Sequence, residues 1–204
     1  MPSADVRTAE SAVRPAVTSE AVLDAALTLF AQRGYHGTAL SQIAERLGIR
    51  TPSLYNHMRS KQELLETIVE QTLNHVLADF HAATAGADDP VVLLREATRV
   101  YALRHATHRR EALIVNRDTT SLPEPALSAM RQLRRDHERA VRSIIARGIE
   151  CGAFAVGNAA LASFAILEMS VSIARWFRED GPRTATQVAD EYAEFALRIV
   201  RYRP

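Results

Sequence analysis

The stretch LSQIAERLGIRTPSLYNHM, residues 40–58, constrains this chain more than any other. Leu40, Ile43, Ala44 and Leu47 recur at helical spacing and form one apolar stripe. Gly48 follows directly, and glycine enters the left-handed backbone that ends a helix without a Cβ clash. Thr51 can then cap a very short second helix, with Pro52 at its first position, where a missing N–H costs nothing. Two helices joined by so short a turn stand at a steep angle, locked by Ile43, Ala44, Leu47, Ile49 and Leu54. The outer side of the second helix is left free.

That free side carries Thr51, Pro52, Ser53, Asn56 and His57. Small groups with hydrogen-bonding tips can approach base edges in a major groove. Tyr55 is placed to donate to a phosphate, and Arg50 in the turn suits a phosphate or a guanine. Helix-turn-helix spacing also occurs in helical proteins that bind no DNA, so the spacing alone leaves both readings open.

The rest of the chain is helical in pattern. SEAVLDAALTLFAQRG opens on Ser19 as a candidate N-cap, sets Val22, Ala26, Leu27 and Phe30 on one face, and closes on Gly34. Thr38 is the candidate cap of the next helix. Ser60 caps a long helix over residues 61–83, with Glu63 completing a capping box. After the linker AGADDP, further helices are expected over 90–108, 110–117, 124–151, 158–179 and 185–201, separated by proline and glycine breaks. No stretch alternates with period two, so the expected class is all-α. Residues 1–18 are small and polar and read as a flexible arm, which is either a disordered tail or a basic arm able to reach a minor groove.

Composition narrows the partners. A net charge of +1 gives no global attraction to nucleic acid, so DNA binding must come from a local patch. One cysteine, Cys151, excludes an intrachain disulfide. No run of about 18 apolar residues and no apolar signal core are evident, so the reading is a cytoplasmic chain without a membrane segment. No Ser/His/Asp, Cys/His, phosphate-loop or paired-carboxylate arrangement stands out, so the chain does not read as an enzyme and calls for no cofactor.

The wider segment AALTLFAQRGYHGTALSQIAERLGIRTPSLYNHMRSKQELL resembles the N-terminal domain of the tetracycline-repressor (TetR) family of one-component bacterial regulators, over roughly residues 20–66. The resemblance implies a three-helix helix-turn-helix DNA-binding domain (19–66) followed by a helical ligand-binding and dimerisation domain (67–204). It implies phosphate contacts at Thr38, Tyr55, His57 and Lys61, and a base-reading face of Thr51, Pro52, Ser53 and Asn56 supported by Ser41 and Arg50. Asn56 stands where an aromatic is common, and Met58 where phenylalanine is usual. The partners implied are a double-stranded DNA operator and a small-molecule inducer. Lys61 is the one lysine among 25 basic residues. A cation at a helix N-terminus opposes the macrodipole, whereas a phosphate there is favoured, which agrees with an anchor at position 61.

In the C-terminal half, NAALASFAILEMSVSIARWFRED is apolar nearly all round. Such a helix must be covered on both sides. With the equally two-sided last helix it fits a homodimer interface, with Leu161, Ala165, Val171, Trp176, Tyr192, Ala196 and Ile199 as candidates. Two heads about 34–36 Å apart would then read a pseudo-palindrome. Polar or aromatic residues on otherwise apolar faces are ligand candidates: Tyr101, His105, Asn116, His137, Phe164, Glu168 and Trp176. The ending WFREDGPRTATQVADEYAEFALRIV resembles TetR-type regulators of lipid and acyl-CoA metabolism, which implies an acyl-CoA or other apolar ligand. His105 and His108 share a helix face, yet no third ligand accompanies them, and the reading here is no metal site. Arg131, Arg135, Arg139 and Arg142 share one face, which reads as a solvated amphipathic face in preference to the rim of an anionic-ligand site.

Overall fold

The computed structural model describes residues 16–203; most of the arm expected over residues 1–18 lies outside them. Among the described residues there is no strand, and the α-helices are α1 (Ser19–Arg33), α2 (Leu40–Leu47), α3 (Thr51–Leu54), α4 (Lys61–Thr84), α5 (Pro90–Thr107), α6 (Arg109–Arg117), α7 (Ala126–Glu150), α8 (Ala159–Trp176) and α9 (Ala185–Ile199). The all-α class holds.

The helix ends differ from expectation by one residue in several places. Thr18, not Ser19, caps α1, its hydroxyl accepting from the Ala21 N–H at 3.1 Å. At α2 the N-cap position is Ala39, whose N–H donates to Gln42 Oε1 at 2.9 Å. Thr51 is the first residue of α3 and Arg50 takes the cap position, so Pro52 is second. Ser60 does cap α4, accepting from the Glu63 N–H at 3.0 Å, but the Glu63 carboxylate reaches back to the N–H of Arg59. Gly48 adopts the left-handed conformation (φ 68°, ψ 29°) that turns the chain from α2 into α3.

Three apolar cores hold the chain. In the first, Val22 and Phe30 of α1, Ile43 of α2, Leu54 of α3 and Leu65 of α4 are fully enclosed. Burial of each such side chain stabilises by about 1.5–3 kcal/mol, which is how a helix as short as α3 is held. Ile114 and Val115 of α6, with Leu122 and Met130, complete the same core. The head is thus not sealed at α4 but rests on α6 and the start of α7. The second core joins Phe80, Leu94, Ile145, Phe154, Ile166 and Leu197; the third joins Ala102, Ile173, Phe177 and Ala189. α5 runs through the middle, against α4, α7, α8 and α9.

α8 corrects one sequence expectation. Its 18 residues are, by length and composition, apolar enough to cross a membrane. Its inner face is core: Ala162, Ser163, Ile166, Ser170, Ile173 and Ala174 are buried, and the Ser163 hydroxyl donates to Glu138 of α7 at 2.7 Å. The opposite side is apolar too and exposed, with Leu161 67% and Phe164 53% accessible.

Candidate nucleic-acid interface and ligand cavity

The free face expected of α3 is present. Arg50, Pro52, Tyr55 and Asn56 are exposed, and Thr51, Ser53 and His57 are half-buried, with Leu54 beneath them fully enclosed. Tyr55 is 56% exposed, which nothing in the fold requires of an aromatic ring. Beyond Leu54 the chain continues as turns, with the His57 N–H donating to Leu54 O at 2.8 Å, so Asn56 and His57 stay on the surface that α3 begins. Ser41 is exposed on the first turn of α2.

Thr38 departs from its expected role. It is 1% exposed, and its hydroxyl donates to the carbonyls of Gly34 at 2.9 Å and Leu29 at 3.3 Å. Its side chain ties the α1–α2 loop to α1 and is unavailable to a phosphate.

Lys61 has a partner that the sequence did not disclose. Its Nζ lies 4.3 Å from the centroid of the Tyr35 ring, and Tyr35 itself packs edge-on against Phe30 at 5.4 Å. Partial burial draws the ammonium below its usual pKa, and the ring face compensates as a cation–π contact. The ammonium is thereby held against Tyr35 at the first residue of α4. Its position has a structural reason in the Tyr35 ring.

Within the C-terminal helices lies a cavity of about 220 Å³, bounded by α4, α5, α6, α7 and α8. Leu73, Val76, Leu77, Val115, Leu133, Leu167 and Val171 make its apolar wall. Six of the seven ligand candidates line it: Tyr101, His105, Asn116, His137, Phe164 and Glu168. Trp176 does not. It is 49% exposed on the outer side of α8, stacked on Tyr192 at 6.3 Å. Phe164 is 53% exposed and stands at the cavity's mouth. Residues that no sequence pattern singles out also line it, among them Arg104, which pairs with Asp79 of α4 at 2.5 Å, and Arg134, which donates to Asn116 Oδ1 at 2.9 Å.

Its polar end is an aromatic cluster. The Tyr101 ring lies 4.4 Å from His105 and 4.8 Å from His137, and Phe80 packs edge-on to His137 at 5.4 Å. Burial lowers the His105 pKa to about 4, reinforced by Arg104 and Arg134 and opposed by a hydrogen bond to the Tyr101 carbonyl. Burial likewise lowers His137 to about 4, with His105 and His81 adding. The Tyr101 hydroxyl is pushed up to about 12 by burial, which outweighs the opposing charge of Arg134 and is aided by Glu168. All three are uncharged at neutral pH. Among the described residues no group of three or more metal-ligating side chains gathers, and His105 Nδ1 is engaged by the Tyr101 carbonyl.

α6 lies between the cavity and the head. His108, Ala112, Val115 and Asn116 face the cavity. From the same segment Arg110 bonds Asp24 at 3.0 Å and Thr28 at 2.8 Å, and Arg117 donates to the last carbonyls of α1, Phe30 and Ala31, while pairing with buried Asp118. A guanidinium at the C-terminal end of α1 also complements that helix's dipole.

The outer surface of α8 and α9 is apolar. Leu161 (67% exposed), Phe164, Ala165 and Trp176 of α8 lie alongside half-buried Tyr192 and exposed Phe195 of α9. Two of the expected interface residues lie elsewhere. Ala196 is fully buried within its own chain's second core, and Val171 turns toward the cavity. Phe195, one position earlier, occupies the outer face, and Ile199 is half-buried against the second core.

Comparison with known proteins accords with this geometry. The family described as "Bacterial regulatory proteins, tetR family" matches residues 22–68, and "Tetracyclin repressor-like, C-terminal domain" matches residues 87–200. The chain is 26% identical over 178 residues to the HTH-type transcriptional repressor KstR2 of Rhodococcus jostii, covering 86% of this chain and 87% of that one. The solved TetR-family transcriptional regulator PfmR of Thermus thermophilus is 33% identical with a TM-score of 0.78, covering 87% of this chain and 97% of that one. AibR, solved in complex with isovaleryl coenzyme A and operator DNA, has a TM-score of 0.78 at 22% identity, covering 87% and 96%, a likeness of fold. The chain belongs to the TetR family of bacterial regulatory proteins and is a ligand-responsive, DNA-binding transcriptional regulator.

Proposed function

We propose that this chain is a cytoplasmic homodimeric repressor that leaves a palindromic operator when a small, largely apolar ligand fills the cavity. One observation carries the reading: α6 touches the cavity with one side and grips α1 of the head with the other. α4 gives a second route, running from Lys61 to Thr72, Leu73 and Val76 on the cavity wall, about 17–23 Å along its axis. Residues 19–66 bind DNA in this scheme, through Arg50, Thr51, Pro52, Ser53, Tyr55, Asn56, His57 and Lys61 with Ser41 in support; residues 67–204 hold the ligand and the dimer. A ligand shifts the balance only by binding one arrangement of the heads better than the other.

Repression as the mode is supported by the relative KstR2, a repressor. An apolar ligand is supported by the cavity wall, and a volume of about 220 Å³ suits a small body or the acyl part of a coenzyme A thioester rather than a whole thioester. AibR, with isovaleryl coenzyme A, is a fold relative with a ligand of that kind. The exposed apolar surface of α8 and α9 suits a second copy of this chain.

The test is a gel shift and footprint on DNA flanking the chain's own gene, with and without candidate apolar ligands. Protection of an inverted repeat that ligand abolishes is the expected result. A ligand that saturates the protein and leaves operator affinity unchanged overturns the mechanism, and reporter expression that falls on deleting the gene overturns repression. Replacing Leu161 by Glu should yield a monomer by sedimentation. An intact dimer would remove α8 from the interface.

A further inference from the structure

We propose that the cluster of Tyr101, His105 and His137 is a subsite for a hydroxyl group on an otherwise apolar ligand. The inference rests on the reading of the cavity as the ligand site and names the chemistry of its polar end.

The tautomer of His105 is fixed by the backbone of its own helix. His105 Nδ1 lies 2.8 Å from the Tyr101 main-chain carbonyl. A carbonyl can only accept, so Nδ1 carries the proton and donates. A neutral imidazole has one N–H, and His105 is kept neutral near pH 7 by burial and by the guanidiniums of Arg104 and Arg134. Its Nε2 is therefore a bare lone pair, an acceptor, and no donor is supplied to it among the described residues. The tautomer follows from the backbone, because Tyr101 and His105 are four residues apart on α5 and the bond repeats the helix's own spacing.

The neighbours complete the set. The Tyr101 hydroxyl and both ring nitrogens of His137 also have no hydrogen-bond partner among the described residues, although His105 and His137 are each only 6% exposed. Thr98 Oγ1 is the single unpartnered side-chain polar atom sealed from solvent among the described residues. The cluster's polar atoms are thus open to a space, and the space beside them is the cavity. Buried polar groups are normally satisfied. Three unsatisfied groups at one end of an apolar cavity mark a place where a ligand, or water in its absence, supplies the missing partners.

The partner must have both hydrogen-bonding senses. It has to donate to His105 Nε2 and to accept from Tyr101 O–H or from the N–H of His137. An alcohol or phenol does both. An ether or ketone only accepts and leaves the lone pair of His105 unsatisfied. A carboxylate can accept from Tyr101 and His137 and draws on the charge of Arg134, but it has no proton to donate and also leaves the lone pair of His105 unsatisfied. The hydroxyl is selected over both by the cost of the unpaired group.

The test uses the intact protein and four probes of one shape in isothermal titration calorimetry at pH 7.5: naphthalene, 2-methoxynaphthalene, 2-naphthol and 2-naphthoate. The expected result is that 2-naphthol binds about tenfold or more tighter than the other three. Tyr101→Phe, which keeps the ring, should narrow the gap between 2-naphthol and naphthalene. A cavity-filling Ala112→Phe variant separates this claim from the one beneath it. If filling abolishes binding but the probes tie on the native protein, or the methoxy or carboxylate probe binds best, the cavity stands and the hydroxyl subsite falls. If the probes bind the native protein and the Ala112→Phe variant equally, the cavity is not where they bind and the underlying reading falls. No binding by any probe at millimolar concentration overturns both.

Discussion

Removing the charge of Lys61 tests the docking of the head most directly, because its contact with Tyr35 and its proposed contact with phosphate have separable readouts. On the protein side its ammonium sits 4.3 Å from the Tyr35 ring centroid, at the N-terminus of α4. A partly exposed cation–π contact is worth about 0.5–1 kcal/mol, so Lys61→Gln should lower folding stability by no more than that. On the DNA side each lysine that neutralises one phosphate contributes about 0.9 to the slope of log K against log salt, so a dimer that loses two has a slope shallower by about 1.8. Taking 1 M salt as the reference, 0.9 × log(1/0.15) is about 0.74 per contact, which for two contacts is roughly a 30-fold loss of affinity at 0.15 M.

The same exponent fixes how the loss changes with salt. Between 0.05 and 0.2 M the ratio of native to variant affinity should shrink by 4 raised to 1.8, about 12-fold. The assay is a fluorescence-anisotropy titration of operator and of unrelated duplex over that salt range, with urea unfolding in parallel. Lys61→Arg keeps the charge and should keep the slope. If Lys61→Gln weakens binding by the same factor at every salt concentration, the residue acts through Tyr35 and the loop it supports, and the phosphate assignment is wrong. A loss confined to one operator sequence would contradict it equally.

Three further outcomes follow from the packing. An alanine at Gly148 would drive its Cβ into the ring of Phe154, well inside contact distance of Cδ2 and Cε2; despite alanine's better helix propensity, overpacking of this kind should leave a net loss of about 1–2 kcal/mol, read as a lowered urea midpoint. Arg117→Ala removes the bonds to the last carbonyls of α1 and leaves Asp118, 6% exposed, without its cation; a loss of about 1–3 kcal/mol is expected, together with weaker operator binding in gel shift, and Arg117→Lys should restore it only in part. Because His105 and His137 are depressed from 6.5 to about 4, the unfolded chain takes up protons first as pH falls. Their contribution is whole above about pH 6.5 and is lost toward pH 4, at up to about 1.4 kcal/mol per pH unit per histidine, and His137→Phe should roughly halve the slope seen by urea unfolding at a series of pH values.

What the sequence disclosed and what it withheld divide along physical lines. Helices are legible because glycine and proline punctuate them: Gly48 takes left-handed backbone where α2 must stop, and no distant residue is needed to say so. The free face of α3 is legible for the same reason, since Ile43 and Leu54 fix which side is inside. Caps slip by one residue where neighbours compete, as Thr18 does with Ser19. Thr38 misleads because its hydroxyl finds two carbonyls in the preceding loop and helix, contacts that depend on how tightly the loop folds back. The cavity is legible only as a set of polar residues on apolar faces. That Tyr101 meets His137, or that Lys61 finds Tyr35, is fixed by helix crossings that join positions far apart in the chain. Position 196 against 195 shows the remaining ambiguity: α9 is apolar on two sides, and only its seating on α5 decides that Ala196 turns in and Phe195 turns out.

That seating also bears on how a filled cavity can reach DNA. α6 has nine residues, about 13 Å, and an isolated helix so short has little stability of its own. Its place is set by its two sides: His108, Ala112, Val115 and Asn116 toward the cavity, Arg110, Ile114 and Arg117 toward α1 and the first core. Close-packed interiors do not stretch, so a group that enters on one side displaces the helix rather than compressing it. Arg117 holds the final carbonyls of α1, and α1 shares its core with α2, α3 and Leu65 of α4. The head therefore has one continuous core from α1 to α3, and in the proposed mechanism a shift of α6 moves the head as a unit. Arg110 and Arg117 are two turns apart, so α6 holds α1 at two points, and α1 is bound to follow a tilt of α6 as well as its shift.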